Sequence, residues 1–552
     1  MLTPKQLQNL PKELTDLYSE LSDFILRDIA RRIAKGAEIT DTAEYQLYRA
    51  RSLGLSEKEI AAKIAEINGT STDVIDKLIR DAAVQSDEFD RRMLGADDGS
   101  AVPLKDNEQL QKLMAAQITE TAGACENLTG TLGFADHDFL GRVYYLSMTD
   151  MYRRELDAAH MKVVTGATDY MTAIRQACNK LAASGVRTID YESGRSDRVE
   201  VAVRRALMTS VSHITQRISE QNAEEFGADG WEISAHSGAR PSHAIYQGRQ
   251  FPNSKYDSIV KPLIEDYNCR HSAFPIIIGI SEPVYTEEEL RNIDPPPFTY
   301  EGRKYTAYEA QQQMRKMERA MRKQKDRCIV ADAAGDKEGF TTASLRLNRQ
   351  KYIYEDFAKA ADCYTEYERT FTPGFSRSLA VKSGINAVKK EYNIIAKTLD
   401  KSDVPSLDEF KKMLYNNGDE YKQLRHQFNE KVINSDYEDI KHLNGCLSDK
   451  VTRQWYVLHD KKIPNLIDKT KPLEDQARQA HSLRNQFRTN ARDLMLNQDE
   501  RKWLDISHPN LTFEEQIGKK MSDKGMTRDE AVLDILATAS KSNNKVNEKF
   551  KL

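Results

Sequence analysis

The sequence predicts a mainly α protein: several helical segments with a small α+β module in the middle. Three observations predict it. Apolar residues recur at three- and four-residue spacing over long stretches on both sides of the centre. Charged residues make up 30% of the chain against 39% hydrophobic, with a mean hydropathy of −0.66, a balance that suits helices with wide wet faces. Between Trp231 and Ile280 this texture gives way to short β-like runs, glycine, proline and polar turns. At 552 residues the chain is also longer than the ~250–300 at which one core stops growing. Four segments are expected: a helical region over 1–195, a long helix plus the module over 196–294, a basic helical hairpin over 295–400 and a helical tail over 401–552.

The elements follow in order. Thr3 is placed to cap a helix with Pro4 at its first position. Leu14, Leu17, Leu21, Phe24, Ile25, Ile29 and Ile33 then mark one helix, stopped by Gly36. "SEKE", Ser56 to Glu59, reads as a capping box that opens another helix through Ile60, Ile64 and Ile67, ended by Gly69. From about 106 to 181 the pattern is helical again, with "GTLGFADHDF" as a turn. Ser196 to Phe226 is the clearest helix, with Val199, Val203, Leu207, Val211, Ile214 and Ile218 on one stripe and Gly227 as its C-cap. "NIDPPPFTYEG" breaks all periodicity and reads as a linker.

After it comes a basic helix with Met314, Met317, Met321 and Cys328 on one stripe. Residues 301–330 hold nine Lys and Arg against four Asp and Glu. Phosphate contact with DNA is one reading of this helix, and a solvated face with the Met stripe as its seam is the favoured one. A second helix over roughly 343–371 should return antiparallel to it. The tail ends in two capping boxes, Thr512 with Glu515 and Thr527 with Glu530, separated by Gly525.

Composition excludes several classes. The longest apolar run, Phe274 to Ile280, is far short of the ~20 residues that span a bilayer, so no membrane contact is expected. No apolar leader opens the sequence. The six cysteines lie far apart without a CxxC pair, so free thiols are expected. A net charge of −4 and a pI near 6.3 argue against a molecule that binds polyanions over its whole surface.

The chemistry-bearing residues crowd into "SAHSGARPSHAIYQGRQF" (Ser234 to Phe251) and "NCRHS" (Asn268 to Ser272). Here stand His236, His243 and His271, three of the chain's eleven histidines, with Cys269, Arg240 and Arg270. Three readings compete. His236, His243, Cys269 and His271 could complete a tetrahedral zinc site, since Cys269 and His271 point the same way on an extended segment. Cys269 could be a nucleophile beside a histidine base, with Arg240 lowering its pKa, as in a metal- or cysteine-dependent hydrolase. The favoured reading is a hydrogen-bonded polar knot of these side chains with Ser242, Gln247 and Asn268, stapling a small domain. No GxSxG, HExxH, P-loop or dinucleotide fingerprint accompanies the cluster, so no enzyme is expected. A toxin-like enzyme in the tail fits poorly with capped helices whose histidines (426, 442, 459, 481 and 508) are scattered.

"SGRSDRVEVAVRRALMTSVSHITQ", "ISAHSGARPSHAIYQGR" and "NCRHSAFPIIIGIS" together resemble the bacteriophage minor capsid protein 2 family, similar in its middle to the phage Mu protein F-like head proteins. "LRDIARRIAKGAEITDTAEYQLYRA" and "KYTAYEAQQQMRKMERAMRKQKDRCIVADAAGD" extend the likeness to about residues 10–380. In Mu F-like relatives a Cys-x-x-Cys pair and a later Cys-Arg-Cys occupy the module. Here Arg240 and His243 stand at the first place, Cys269 and His271 at the second. Arginine cannot ligate zinc, so that carry-over is partial. The resemblance implies a structural minor head protein of a tailed phage or prophage, near the portal vertex, acting in head assembly or head–tail connection. It implies contact with the portal protein and other head proteins, with nonspecific contact to packaged DNA as a further reading. Its place would be the virion head, after assembly in the host bacterial cytoplasm.

Overall fold

The computed structural model describes residues 4–95, 103–137, 142–189, 196–264, 271–300, 302–416, 419–425, 427, 428, 468, 470–472, 474–482 and 511–535. A short helix α1 (Pro4–Asn9) leads into α2 (Lys12–Ala37), which runs through the middle of the main core. Leu14, Tyr18, Leu21, Ile25, Ile29 and Ile33 repeat at helical spacing and are all completely buried or nearly so. They pack under α3 (Thr42–Met93), α5 (Met148–Val164), α6 (Tyr170–Ser184) and α7 (Val199–Glu225), with α4 (Glu108–Gly130) laid on α3 and α7. Each start has a chemical cause: the side chains of Asp41, Asn107, Ser147 and Asp169 accept backbone N–H bonds at the first turns of α3 to α6.

Two expectations fail in this region. The capping box at Ser56 does not open a helix, and Gly69 does not end one, because α3 runs unbroken for 52 residues, about 78 Å. Ser56 donates instead to Asp28 Oδ2 on α2 at 2.6 Å, and the same carboxylate holds Arg32 Nε at 2.8 Å. The buried face continues through Ser52, Ile60, Ile67 and Ser71, so packing keeps the helix going where local signals would stop it. The segment read as a turn is β1 (Leu132–His137). It lies in an antiparallel sheet of order β2 (Val143–Ser147), β1, β3 (Arg187–Ile189), β4 (Ser196–Arg198). Gly133 is needed there, since a Cβ would sit 2.1 Å from the Leu146 carbonyl oxygen of the neighbouring strand. Ser196–Arg198 pair as β4, so α7 starts three residues later than expected. Gly227 then turns the chain at φ +67°.

The module forms as expected. A three-stranded antiparallel sheet has the order β6 (Gln250–Pro252), β5 (Gly230–Ile233), β7 (Ala273–Ile276). A short α8 (Pro241–Ala244) precedes β6. After it the chain winds through α9 (Asn253–Lys255), a π turn (Tyr256–Val260) and α10 (Lys261–Ile264). Trp231 stacks on Tyr256 at 4.8 Å over a small core with Ile233, Phe251 and Val260. Phe274 of β7 meets Phe89 of α3 edge-on at 5.1 Å, which fixes the module to the far end of the long helix.

The expected linker is only partly irregular. After α11 (Glu287–Arg291), Phe298–Tyr300 and Arg303–Tyr305 pair as a hairpin, β8 and β9. Phe298, Tyr300 and Tyr305 pack onto Phe357 of α13 (Lys337–Ala360). The basic helix α12 (Ala307–Ala333) and α13 form the expected hairpin, though α13 begins and ends earlier than 343–371 because Asp336 caps it. Met314, Met317, Met321 and Cys328 are buried as read.

The solvated face is a correction. Along residues 311–333 only Gln312, Arg319 and Asp332 are exposed, because α12 packs on α2, α6 and α13 and has α14 (Arg377–Thr398) beyond its hairpin partner. Val330 and Ala334 join the core built on α2, so segments on both sides of the boundary expected at 295 share one core. Ion pairs reinforce this: Arg198 Nη2 lies 2.7 Å from Asp326, and Arg175 Nε lies 2.9 Å from Asp336.

Beyond α15 (Leu407–Asn416), the tail docks α16 (Phe513–Lys524) onto α12 and α13. Both capping boxes form, and Gly525 ends α16 at φ +64°. The side chains of Gln324 and Gln350 donate to the carbonyls of Asp523 and Ser522 at 3.1 and 2.6 Å. Cys125, Cys178, Cys328 and Cys363 are free thiols. Among the described residues no helix is long and apolar enough to cross a membrane.

Candidate functional site: a histidine knot in the central module

Strand β5 ends at Ile233, and the buried Ser234 sets the next contact. Its N–H donates to Ser272 O at 2.9 Å, and its hydroxyl accepts from Ser272 N–H at 2.8 Å. This clasp carries His271 over to the residues that follow β5. There the rings of His236 and His271 stack at 4.6 Å, with an interplanar angle of 29°. His243, buried on α8, lies 5.8 Å from His271. Pro241 opens α8 at a position where its missing N–H is not needed.

Gln247 is the hub. Its Oε1 accepts the backbone N–H of His236 at 2.8 Å and lies 3.0 Å from His271 Nε2. An oxygen that already accepts from a backbone amide fixes the second bond too: His271 Nε2 carries a proton and donates. His236 Nδ1 lies 3.0 Å from the Ser237 carbonyl and is likewise the donor. Burial first, then His236, His243 and Arg240, push the pKa of His271 down to about 3, so the ring is neutral at pH 7. The structure thus brings together His236, Arg240, His243, Gln247 and His271. Ser242 is exposed on α8 and makes no hydrogen bond to the other described members of the cluster. Asn268, Cys269 and Arg270 lie outside the described residues.

Sequence reasoning missed what holds the knot from outside. Asp294, just before the proline run, accepts from Gly238 N–H at 2.7 Å and Ser237 Oγ at 3.1 Å. Gln311 of α12 donates to Ser237 O at 3.0 Å. Glu232, completely buried in β5, takes Val284 N–H at 2.9 Å and Gln250 Nε2 at 3.0 Å, and burial raises its pKa. An Asp ahead of prolines and a Ser-Gly pair are turn signals, but nothing in the sequence says that they meet.

The donor set has part of the chemistry of a metal centre. His236 and His271 each give one ring N–H to a protein oxygen, the arrangement that orients ligating imidazoles. Two of the rings, His236 and His271, are stacked face to face at 4.6 Å. Among the described residues no group of three or more His, Cys, Asp or Glu side chains is placed to hold a metal ion.

The sequence model of the phage minor capsid protein 2 family matches residues 2–359, roughly two thirds of the chain. The chain belongs to that family. Comparison with curated proteins and with solved structures finds no match. Membership in the phage minor capsid protein 2 family gives the chain a structural capsid role in the virion, alongside other head proteins. The match runs from α1 almost to the end of α13 and so includes the whole knot. The tail that docks onto α12 and α13 lies beyond it.

Proposed function

We propose that this protein is a minor head component at the portal vertex, acting in head assembly or head–tail connection, with the 230–281 module as its rigid docking unit. The family match carries the reading. The chemistry of the knot supports it, because a ring held neutral down to about pH 3 is poorly suited to take a proton from a substrate at pH 7. The surface supports it as well. Ile278, Ile280 and Val284, just past β7, are exposed large apolar residues close together in sequence, and Ile280 is 77% exposed. A rigid module that carries an apolar rim gives a partner a surface with little conformational entropy left to lose.

A zinc ion in the module is the rival to this metal-free knot, and metal analysis separates the two. Cys269 would complete His236, His243 and His271, and the metal would do structural work only.

The test is co-expression with the portal protein of the same phage, followed by affinity capture and imaging of assembled heads. The full chain should co-purify with portal and mark the vertex, and Ile280→Asp should abolish capture without loss of helix content. Capture unchanged by Ile280→Asp would remove the module from the interface. Failure of the full chain to bind portal at all would sink the reading.

A further inference from the structure

We propose that α12 carries a nucleic-acid phosphate site, built from Lys316, Arg319, Lys323 and Arg327 with Arg346 of α13. The four residues of α12 fall at i, i+3, i+7 and i+11, one row about 16 Å long and roughly half a turn round the helix from the Met stripe. Two of the other three cations on this helix have an anion, and the third, Lys325, donates to Thr370. Arg315 lies 2.8 Å from Glu318 and 3.0 Å from Glu366, and Arg322 reaches Glu200 at 4.0 Å. Among the described residues, none of the five has a carboxylate within 4 Å. Arg327 donates only to the neutral Gln324, at 3.1 Å, and its Nε has no hydrogen-bond partner.

These cations are also half-buried, Arg319 excepted, and they repel one another. Burial is the first cause that lowers the pKa of each. Next in weight come Arg322 for Arg319, Arg327 for Lys323, Arg346 for Arg327 and Arg349 for Arg346. Asp523 of the docked tail pulls Lys316, Lys323 and Arg327 the other way, joined by Glu515 at Lys316, Asp326 at Lys323 and Arg327, and Glu318 at Arg319, none at ion-pair distance. Partly desolvated cations without a carboxylate at ion-pair distance are costly, and a row of them persists when an external anion completes it.

The row selects the anion. One DNA strand sets about five phosphates along 16 Å of duplex axis, which matches five cations better than a single small ion would. Arginine supplies three of the five, and its planar fork suits phosphate oxygens. No aromatic side chain lies in the row, so bases are not stacked and the contact is independent of sequence. This site stands apart from the docking reading of the module, and either can fail alone.

The experiment is binding of the full chain to a labelled duplex of about 30 base pairs and arbitrary sequence, over a salt series. Affinity should fall with log[salt] at a slope of about −4, as four to five phosphate contacts require. Arg319→Glu with Lys323→Glu should weaken binding at least tenfold and make the slope shallower by about 2, while Lys58→Glu on exposed α3 should change it less than twofold. If the reversed pair loses helix content, Arg319→Gln with Lys323→Gln is judged by the same slope. No binding at low salt, equal losses for the row and for Lys58→Glu, or equal binding of polyglutamate would each overturn the proposal.

Discussion

At Gln247 one side-chain oxygen serves two donors, and the knot depends on it more than on any single histidine. Gln247→Ala would leave the His236 N–H and the His271 Nε2–H without that acceptor in a buried site, at a cost of about 1–3 kcal/mol. Amides of β5 should then exchange hydrogen about tenfold faster or more, and unchanged exchange would mean that Gln247 is not the hub. A second residue sets a pH dependence. Asp90 on α3 is fully buried, takes the Ser219 hydroxyl at 2.5 Å, and is pushed by burial up to about 7. The folded state therefore keeps a proton that the unfolded chain releases near pH 4, so this contribution is fully present below pH 4 and is lost as pH rises through about 7. Asp23, pushed up to about 8 by burial and by Asp326, acts in the same direction. Asp90→Asn should flatten the decline in denaturation midpoint between pH 5 and 8, and an unchanged slope would exclude Asp90 as its source. The histidines and Gln247 could be read in the sequence as one cluster, because their types and spacing were unusual. Asp294 and Gln311 could not, because each is an ordinary polar residue until the fold brings it to the Ser237–Gly238 turn, and Ser234 is ordinary until it meets Ser272.

At the scale of elements, periodicity was legible and interruptions were not. The stripes of α2, α7 and α12 could be read directly from their apolar residues. The Ser56 box and Gly69 misled because a capping signal measures local preference, whereas α3 is held along its length by α2, α4 and α7. This makes a test of the continuous helix. A Cβ at Gly69 would meet open space, so Gly69→Ala should stabilise the protein by about 1 kcal/mol, seen as a higher denaturation midpoint. Destabilisation would show that Gly69 ends a helix after all. The β1 strand was hidden for a related reason: its partners β2 and β3 are brought alongside by tertiary packing, and two of its six residues are a glycine and an alanine with little strand preference.

For the molecule as a whole, the mainly helical class and the central module were legible from composition and texture, whereas the way the segments combine was not. Nothing local says that a basic helix after residue 300 enters the core begun at Leu14, or that α16 closes over it from far along the chain. Under the proposed reading, imidazoles, an amide and backbone oxygens lock the module with no metal required. Zinc analysis of the purified full chain, paired with thermal melting with and without a chelator, tests it most directly. Less than about a tenth of an equivalent of zinc should be found, with a Tm that the chelator leaves unchanged. One equivalent of zinc, with a Tm that drops on chelation, would contradict it and make Cys269 a ligand.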